Sequence, residues 1–154
     1  MSATPILLPD VELVVVDFFR EQPFVTELGA NVYTELPGHR EGETQQQWES
    51  RVFPALRVNG FPGGTTRGPG VMLQARLQVD TWATSKWDTS RLARRAFAAL
   101  HDTRRFRHED ADGLVSWFNG VATVNPPGWL PDEATKRPRY MFDVNVILRA
   151  GVQP

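Results

Sequence analysis

Histidine, the side chain that most often transfers protons or binds metals near neutral pH, occurs here as His39, His101 and His108. No two of them stand four residues apart, the spacing that places two ligands on one face of a helix. The sequence contains no cysteine, which excludes disulfides and thiolate ligands. His101, near the end of a predicted helix, complements the helix dipole. We therefore predict no metal site.

Two aspartates are the strongest candidates for paired carboxylates. Asp80 and Asp143 lie on the polar faces of two predicted strands, and they would approach each other if those strands were neighbours. The alternative is that each carboxylate is solvated or paired with an arginine, for which Arg76, Arg139 and Arg149 are available. We favour this alternative, because ion pairs between exposed side chains are common and need no special geometry.

The glycine-rich residues 60–70 raise the question of phosphate binding. They include Gly63-Gly64-Thr65-Thr66, but the lysine with which a P-loop contacts phosphate is missing. The G-x-S-x-G pattern of a serine nucleophile is also absent. A flexible connection between two strands explains this segment better. We predict no catalytic residue, no enzymatic activity and no cofactor.

Basic side chains concentrate at the end of one predicted helix and just beyond it. The members of this cluster are Arg91, Arg94, Arg95, Arg104, Arg105 and Arg107. Such a cluster could contact phosphate, but Glu109, Asp110 and Asp112 follow at once and cancel the local field. We favour a solvated helix end with ion pairs between subunits.

Composition restricts the class of protein further. The 154 residues include 17 basic and 18 acidic side chains, whereas dedicated nucleic-acid binders usually carry a basic excess. The apolar runs are too short to span a bilayer. The N-terminus lacks the basic start and apolar core of a signal peptide. We expect one soluble domain, residues 1–154, made in the cytoplasm and without a membrane partner.

The clearest structural pattern is a strand followed by a helix. Residues 71–83 alternate between apolar and polar side chains, which predicts a long strand with one buried face. Ser85 stands three residues before Asp88, the spacing of a capping box, and no glycine or proline interrupts the helix that follows. The apolar stripe of this helix consists of Leu92, Ala93, Ala96, Phe97, Ala99 and Leu100.

Weaker patterns complete the predicted fold. Pro9 and Asp10 begin a first amphipathic helix, which Pro23 ends. Four further strands are predicted, over residues 31–36, 52–59, 114–124 and 139–149. Asn119-Gly120 is a hairpin signal, but each half of residues 114–124 would be very short alone, so we favour one strand. The result is an α+β fold: a mostly antiparallel sheet of about five strands with two helices packed on one face.

Three segments are expected to be flexible or irregular. Residues 37–51 are polar and form a loop or a short surface helix, residues 60–70 are glycine-rich, and residues 125–138 are a proline-rich loop. The predicted core consists of Val15, Phe18, Leu73, Leu77, Val79, Phe97, Leu100, Phe142, Val144 and Val146.

Large apolar side chains also occur where the patterns predict exposure. Met72, Trp82, Met141 and Ile147 lie on polar strand faces, which favours a subunit interface because Trp and Met are enriched there. The loop residues, among them Trp129, fit a second small core equally well. The candidate interface residues are Phe61, Met72, Arg76, Asp80, Trp82, Arg91, Arg94, Arg95, Trp129, Met141 and Ile147.

The strand–helix unit resembles the centre of a known family. The residues that carry the likeness are Gln78-Val79-Asp80, Trp82-Ala83 and, at the end of the helix, Ala98-Ala99-Leu100. They are similar to the tail terminator, or tail-completion, proteins of long-tailed, siphophage-like phages. The order of elements over residues 9–149 is also similar, although residues 37–51 are longer than in a minimal member.

The resemblance implies a structural virion protein without catalytic residues. Such proteins form a homohexameric ring that caps the tail tube at the neck of the virion and joins the tail to the head connector. The implied partners are further copies of the chain, the major tail tube protein and the head-completion or stopper protein. Genomic DNA would pass through the channel without sequence-specific binding, which fits the balanced charge. Assembly would take place in the host cytoplasm.

Two other classes of function stay open at this point. One is another adaptor of the neck, a head-completion or stopper protein. The other, which we favour less, is a cone-shaped α+β ligand-binding domain or enzyme. A ligand site would need convergent polar groups, whereas Leu73, Leu77 and Phe142 make the inner strand faces apolar.

Overall fold

Four helices and seven strands make up the protein in a computed structural model, which describes residues 8–61, 64–67, 72–103 and 105–150. The helices are α1 (Val11–Arg20), α2 (Pro23–Glu27), α3 (Gln45–Val52) and α4 (Lys86–Asp102). The strands are β1 (Asn31–Tyr33), β2 (Ala55–Gly60), β3 (Thr65–Arg67), β4 (Met72–Trp82), β5 (Phe106–Glu109), β6 (Val115–Trp129) and β7 (Arg139–Ala150).

The strands form one mixed sheet in the order β1-β2-β4-β7-β6-β5, and β3 pairs with β4 beyond the end of β2. All pairs are antiparallel except β1–β2, which is parallel. The predicted α+β class is therefore confirmed. The described part of the chain contains more elements than the predicted five strands and two helices. The additional ones were missed because β3 and β5 are very short and α3 lies in a polar segment.

The main core lies between one face of the sheet, here called the inner face, and helices α1, α2 and α4. On β4 and β7, Leu77 is opposite Val144 and Val79 is opposite Phe142, and all four side chains are buried. The predicted core residues are buried as expected, apart from Phe97, which is partly buried and packs edge-on against Phe142. Strict alternation along two long strands made this face predictable.

Helix α4 follows β4 as the sequence predicted. The Ser85 hydroxyl accepts a hydrogen bond from the backbone N–H of Asp88 and caps the helix. Its buried residues include Leu92, Ala96 and Leu100, which face β4, β6 and β7. The helix thus covers the centre of the inner face and leaves its opposite side in solvent.

Helix α1 contacts strands from both edges of the sheet. The helix begins where Pro9 and Asp10 predicted, and Asp10 caps it by accepting a hydrogen bond from Leu13 N–H. The Phe18 ring packs against Phe106 of β5 at 5.5 Å, and Arg20 donates to the Val32 carbonyl of β1. The sheet therefore curls until both of its edges reach one helix.

Helix α3 lies on the other, outer face of the sheet. Thr44 and Gln47 form a reciprocal capping box at its start. Trp48, Val52 and Phe53 pack with Ala55 and Trp82 into a second buried cluster. Residues 37–51, predicted as a loop or short surface helix, therefore contain a helix, and that helix covers one end of the outer face.

Two other segments are more regular than predicted. Within residues 60–70, Thr65–Arg67 is strand β3, whereas residues 62–63 and 68–70 lie outside the described part of the chain. Residues 125–129, predicted as loop, extend β6.

Strand β6 is continuous through Asn119-Gly120, which confirms one strand rather than a hairpin. A register shift between Phe118 and Gly120 accommodates the extra residue, and two further shifts follow. Among the described strands, β5 pairs with β6 only over residues 115–118. The rest of β6 is an open edge, which explains why Pro126 and Pro127 are tolerated there.

Candidate assembly interface

Trp82 is buried, which corrects the prediction that it lies exposed on a polar strand face. It is 1% exposed, and its ring packs against Phe53 at 6.3 Å. The guanidinium groups of Arg57 and Arg139 lie over the ring at 5.2 and 5.6 Å. Helix α3 supplies the cover that the alternating pattern of β4 could not reveal. In the folded chain, Trp82 is therefore not available as a contact for another subunit.

Asp80 is also buried, which corrects its place among the candidate interface residues. It is 0% exposed, and Arg57 and Arg139 each donate two hydrogen bonds to it, the shortest at 2.8 and 2.7 Å. Gln78 donates a further bond at 3.0 Å. The expected pairing with arginine is thus correct for Arg139, whereas Arg57 was missed because the sequence did not show that β2 pairs with β4.

Asp143 has its own partners. On β7 it lies opposite Gln78 of β4, two residues along the strand from Met141, which lies opposite Asp80. The Asp143 residue is 3% exposed. Arg76 and Asn125 both donate to its Oδ2 atom, at 2.9 and 2.8 Å, whereas no described group bonds to Oδ1. Each aspartate is paired with arginine, and no hydrogen bond joins the two carboxylates.

Two ion pairs stabilise residues 37–51 on the outer face. Arg51 donates two hydrogen bonds of 2.8 Å to Glu43, and Arg137 pairs with Glu49 at 3.4 Å. The hydrogen bonds from Arg51 lower the pKa of Glu43 to about 2. The Arg51–Glu43 pair therefore stabilises the segment internally, whereas the Arg137–Glu49 pair and Trp48 attach it to the rest of the protein.

Asp132 fixes the loop between β6 and β7 to the second buried cluster, because it accepts a hydrogen bond from Trp82. Burial alone would raise the pKa of Asp132, but hydrogen bonds from Thr135, Trp82 and the backbone outweigh it and lower that pKa. The pKa of Tyr33 is raised because burial outweighs the charge of nearby Arg51. Tyr33 packs against the same cluster and donates to the Val52 carbonyl.

The other half of the outer face is open. Met72 is 45% exposed, and Met141 and Ile147 are partly exposed. Phe61 is 38% exposed and lies beneath the guanidinium of Arg76 at 4.8 Å. These four apolar residues and Arg76 keep the exposure that a role in assembly requires.

Arg91, Arg94 and Arg95 lie on the solvent side of α4 and line a shallow groove with Trp87. Trp87 is 68% exposed, the most exposed of the large apolar side chains in the described residues, and Arg94 lies over its ring at 5.2 Å. We call these four residues the α4 basic face. Sequence reasoning missed Trp87, although it stands four residues before Arg91 and so shares its helical face.

Trp129 lies close to the start of the same helix. It is 41% exposed, packs against Tyr140 at 5.5 Å and has the Lys86 ammonium over its ring at 4.7 Å. Lys86 is the first residue of α4 and Trp87 the second. Two exposed tryptophans therefore flank one helix end, which is a common composition for a protein contact.

The three histidines lie apart and each has a local partner. His39 stacks on Trp48 at 4.7 Å, His101 bonds to Thr123, and the buried His108 bonds to Asp17 at 2.7 Å. Across residues 8–61, 64–67, 72–103 and 105–150, no three potential metal ligands cluster. Within those ranges no helix has the length and apolar character needed to cross a bilayer.

No family model matches the sequence, and no curated protein matches it either. The architecture defines a small α+β protein with a curled sheet. A chain in a structure described as the virion of a native gene transfer agent particle has a similar fold, with a TM-score of 0.57. The similarity covers 92% of this chain and 95% of that chain at 13% sequence identity. The fold is therefore shared over almost the whole of both chains.

Proposed function

We propose that this chain is a structural protein of a phage-like virion, and more specifically a tail terminator. In this role it forms a homohexameric ring that caps the tail tube and joins the tail to the head connector. The observation that carries the proposal is the fold shared, over nearly the full length, with a chain of a gene transfer agent virion. The likeness of the β4–α4 sequence to tail terminators supports the more specific role.

A closed ring needs two different surfaces on each subunit, so that each copy contacts the next in the same way. The α4 basic face is one suitable surface, because it combines exposed Trp87 with three exposed arginines. Arginine and tryptophan are the residues most enriched in energetically important contacts.

Exposed acids on the other side of the sheet could form the second surface. Glu35 and Glu41 lie in the segment that leads into α3, and Glu133 lies in the loop beside it. These segments cover the outer face, whereas α4 covers the inner face. Opposite charges on opposite sides of one subunit suit head-to-tail contacts between subunits.

The proposed partners are further copies of the chain, the tail tube protein and the head-completion or stopper protein, at the neck of the virion. The role involves no chemical step, no cofactor and no membrane. Genomic DNA passes through the ring.

The mass of the purified protein in solution, measured by native mass spectrometry, tests the ring. We expect six copies, alone or after addition of tail tubes. Deletion of the gene tests the terminator role, and we expect tails of uncontrolled length without heads. A protein that stays monomeric in the presence of tubes argues against the ring. Normal, joined tails in the deletion strain would refute the terminator role, and defective head completion with normal tail length would indicate a neck adaptor.

A further inference from the structure

Five residues occupy a single row of cross-strand positions on the half of the outer face that α3 leaves open. Successive cross-strand neighbours in this row belong to β3, β4, β7, β6 and β5. In order, they are Arg67, Met72, Arg149, Trp117 and Arg107. These residues are far apart in the sequence, and only the pairing of the strands brings them together. We call this set the arginine row.

The row is positively charged and accessible. Arg107 and Arg149 are exposed, and the exposed Arg105 adds a third charge because its guanidinium lies over the Trp117 ring at 4.2 Å. Arg107 pairs with Glu109 at 3.3 Å, and both side chains remain 51% exposed. Within the described residues, Arg105 and Arg149 form no salt bridge. Two of the three charges are therefore unpaired, and the third is shared with an exposed glutamate.

The spacing of the row suits a polyanion better than a single ionic partner. Neighbouring strands lie about 4.8 Å apart, so Arg149 on β7 and Arg107 on β5 are spaced by about 10 Å, and Arg105 lies over Trp117 between them. Guanidinium groups bind phosphate oxygens in a bidentate manner. Met72 and Trp117 stand between the arginines and offer no acceptor that would direct base recognition.

We propose that the arginine row is a contact surface for the phosphate backbone of double-stranded DNA, without base recognition. Its biological ligand, the packaged genome, follows from the proposed function, but binding is a property of the free chain. The balanced total charge conceals this surface, because the compensating acids lie elsewhere, for example at Glu35 and Glu41 beside α3. Few phosphates are contacted, so binding is weak and sensitive to salt, as passage of DNA requires.

Fluorescence anisotropy with two labelled duplexes of unrelated sequence tests the proposal. Three or four phosphate contacts predict a log–log salt slope of about −2.7 to −3.6 and an affinity loss of about 40- to 150-fold between 50 and 200 mM salt. Both duplexes should bind equally. The triple variant Arg105→Ala/Arg107→Ala/Arg149→Ala should lose at least about tenfold in affinity at low salt and most of the slope.

The matched control is Arg91→Ala/Arg94→Ala/Arg95→Ala, which removes the same charge from the α4 basic face and should retain most of the binding. Thermal melts establish that both variants are folded. Equal losses in the two triple variants, or no binding by the wild type at 50 mM salt, would overturn the proposal. A third outcome is that the wild type binds tail tubes but not DNA, and that only the row variant loses tube binding. This result would overturn the DNA proposal and identify an acidic protein surface as the ligand.

Ring formation is measured on the same samples. If the protein forms a hexamer but does not bind DNA, the DNA-contact proposal fails and the proposed ring is unaffected. If it stays monomeric but binds DNA through the arginine row, the proposed ring fails and the DNA-contact proposal is unaffected.

Discussion

The indole N–H of Trp82 donates a hydrogen bond of 2.9 Å to the carboxylate of Asp132, 50 residues further along the chain. This bond ties the end of β4 to the loop between β6 and β7. Phe53, the residue directly after helix α3, packs against the same indole. Three segments that are distant in the sequence therefore depend on one side chain.

Replacement of Trp82 by alanine should destabilise the protein by about 3–5 kcal/mol, because it removes a fully buried aromatic ring and leaves a cavity. Urea denaturation measures the loss. Trp87→Ala is the matched control, and its cost should stay within about 0.5 kcal/mol because Trp87 is 68% exposed. A cost below about 1 kcal/mol for Trp82→Ala would show that α3 does not cover this residue in solution.

Replacement of Asp80 by asparagine should also be strongly destabilising. It leaves the guanidinium groups of Arg57 and Arg139 without their shared carboxylate, and loss of one partner from a buried ion pair costs about 3–5 kcal/mol. Chemical denaturation of Asp80→Asn beside the exposed control Glu41→Gln measures the difference. Equal stability of the two variants would contradict the buried network.

Acid should loosen residues 37–51 before the main core. The pKa of Glu43 falls from 4.5 to about 2 on folding, so its stabilising effect is complete above pH 4.5 and is lost as the pH falls towards 2. The lowered pKa of Asp132 acts in the same direction. Tryptophan fluorescence, which includes Trp48 and Trp82, should change in this range. Glu43→Gln should reduce the pH dependence, and an unchanged titration curve would refute the role of this pair.

Replacement of Trp87 by glutamate should weaken ring contacts while the monomer stays folded. The substitution removes the exposed ring from the α4 basic face and places a carboxylate beside Arg94. Analytical ultracentrifugation should show a shift towards monomer of about tenfold or more in the association constant, the range of contact residues of this type. Trp87→Phe should retain most of the association. Unchanged assembly of Trp87→Glu would exclude this face from the ring.

The β4–α4 unit could be predicted because its signals are local. Alternation from Leu73 to Val79 and the cap at Ser85 determine the strand and the helix without help from distant residues. The same alternation misplaced Asp80 and Trp82, since it identifies a face of a strand but not what covers that face. Helix α3 provides the cover, and its polar sequence gave little indication that Trp48 would be buried.

The arginine row was hidden from sequence reasoning for a related reason. Arg67 and Arg149 are the register partners of Met72 on its two sides only because β3 and β7 both pair with β4. Strand order is set by the whole chain, and no local pattern records it. The arginines of α4, in contrast, were found because helical neighbours are also close in the sequence.

The open edge of β6 carries a risk that this protein avoids. An unpaired strand edge can recruit a strand from another molecule and start fibre growth, a hazard that rises with local concentration. Pro126 and Pro127 offer no N–H group to such a strand, and the three register shifts interrupt the flat template that it would need. Copies of the chain can therefore crowd together without polymerising through their backbones, and the order of any assembly is left to side-chain surfaces.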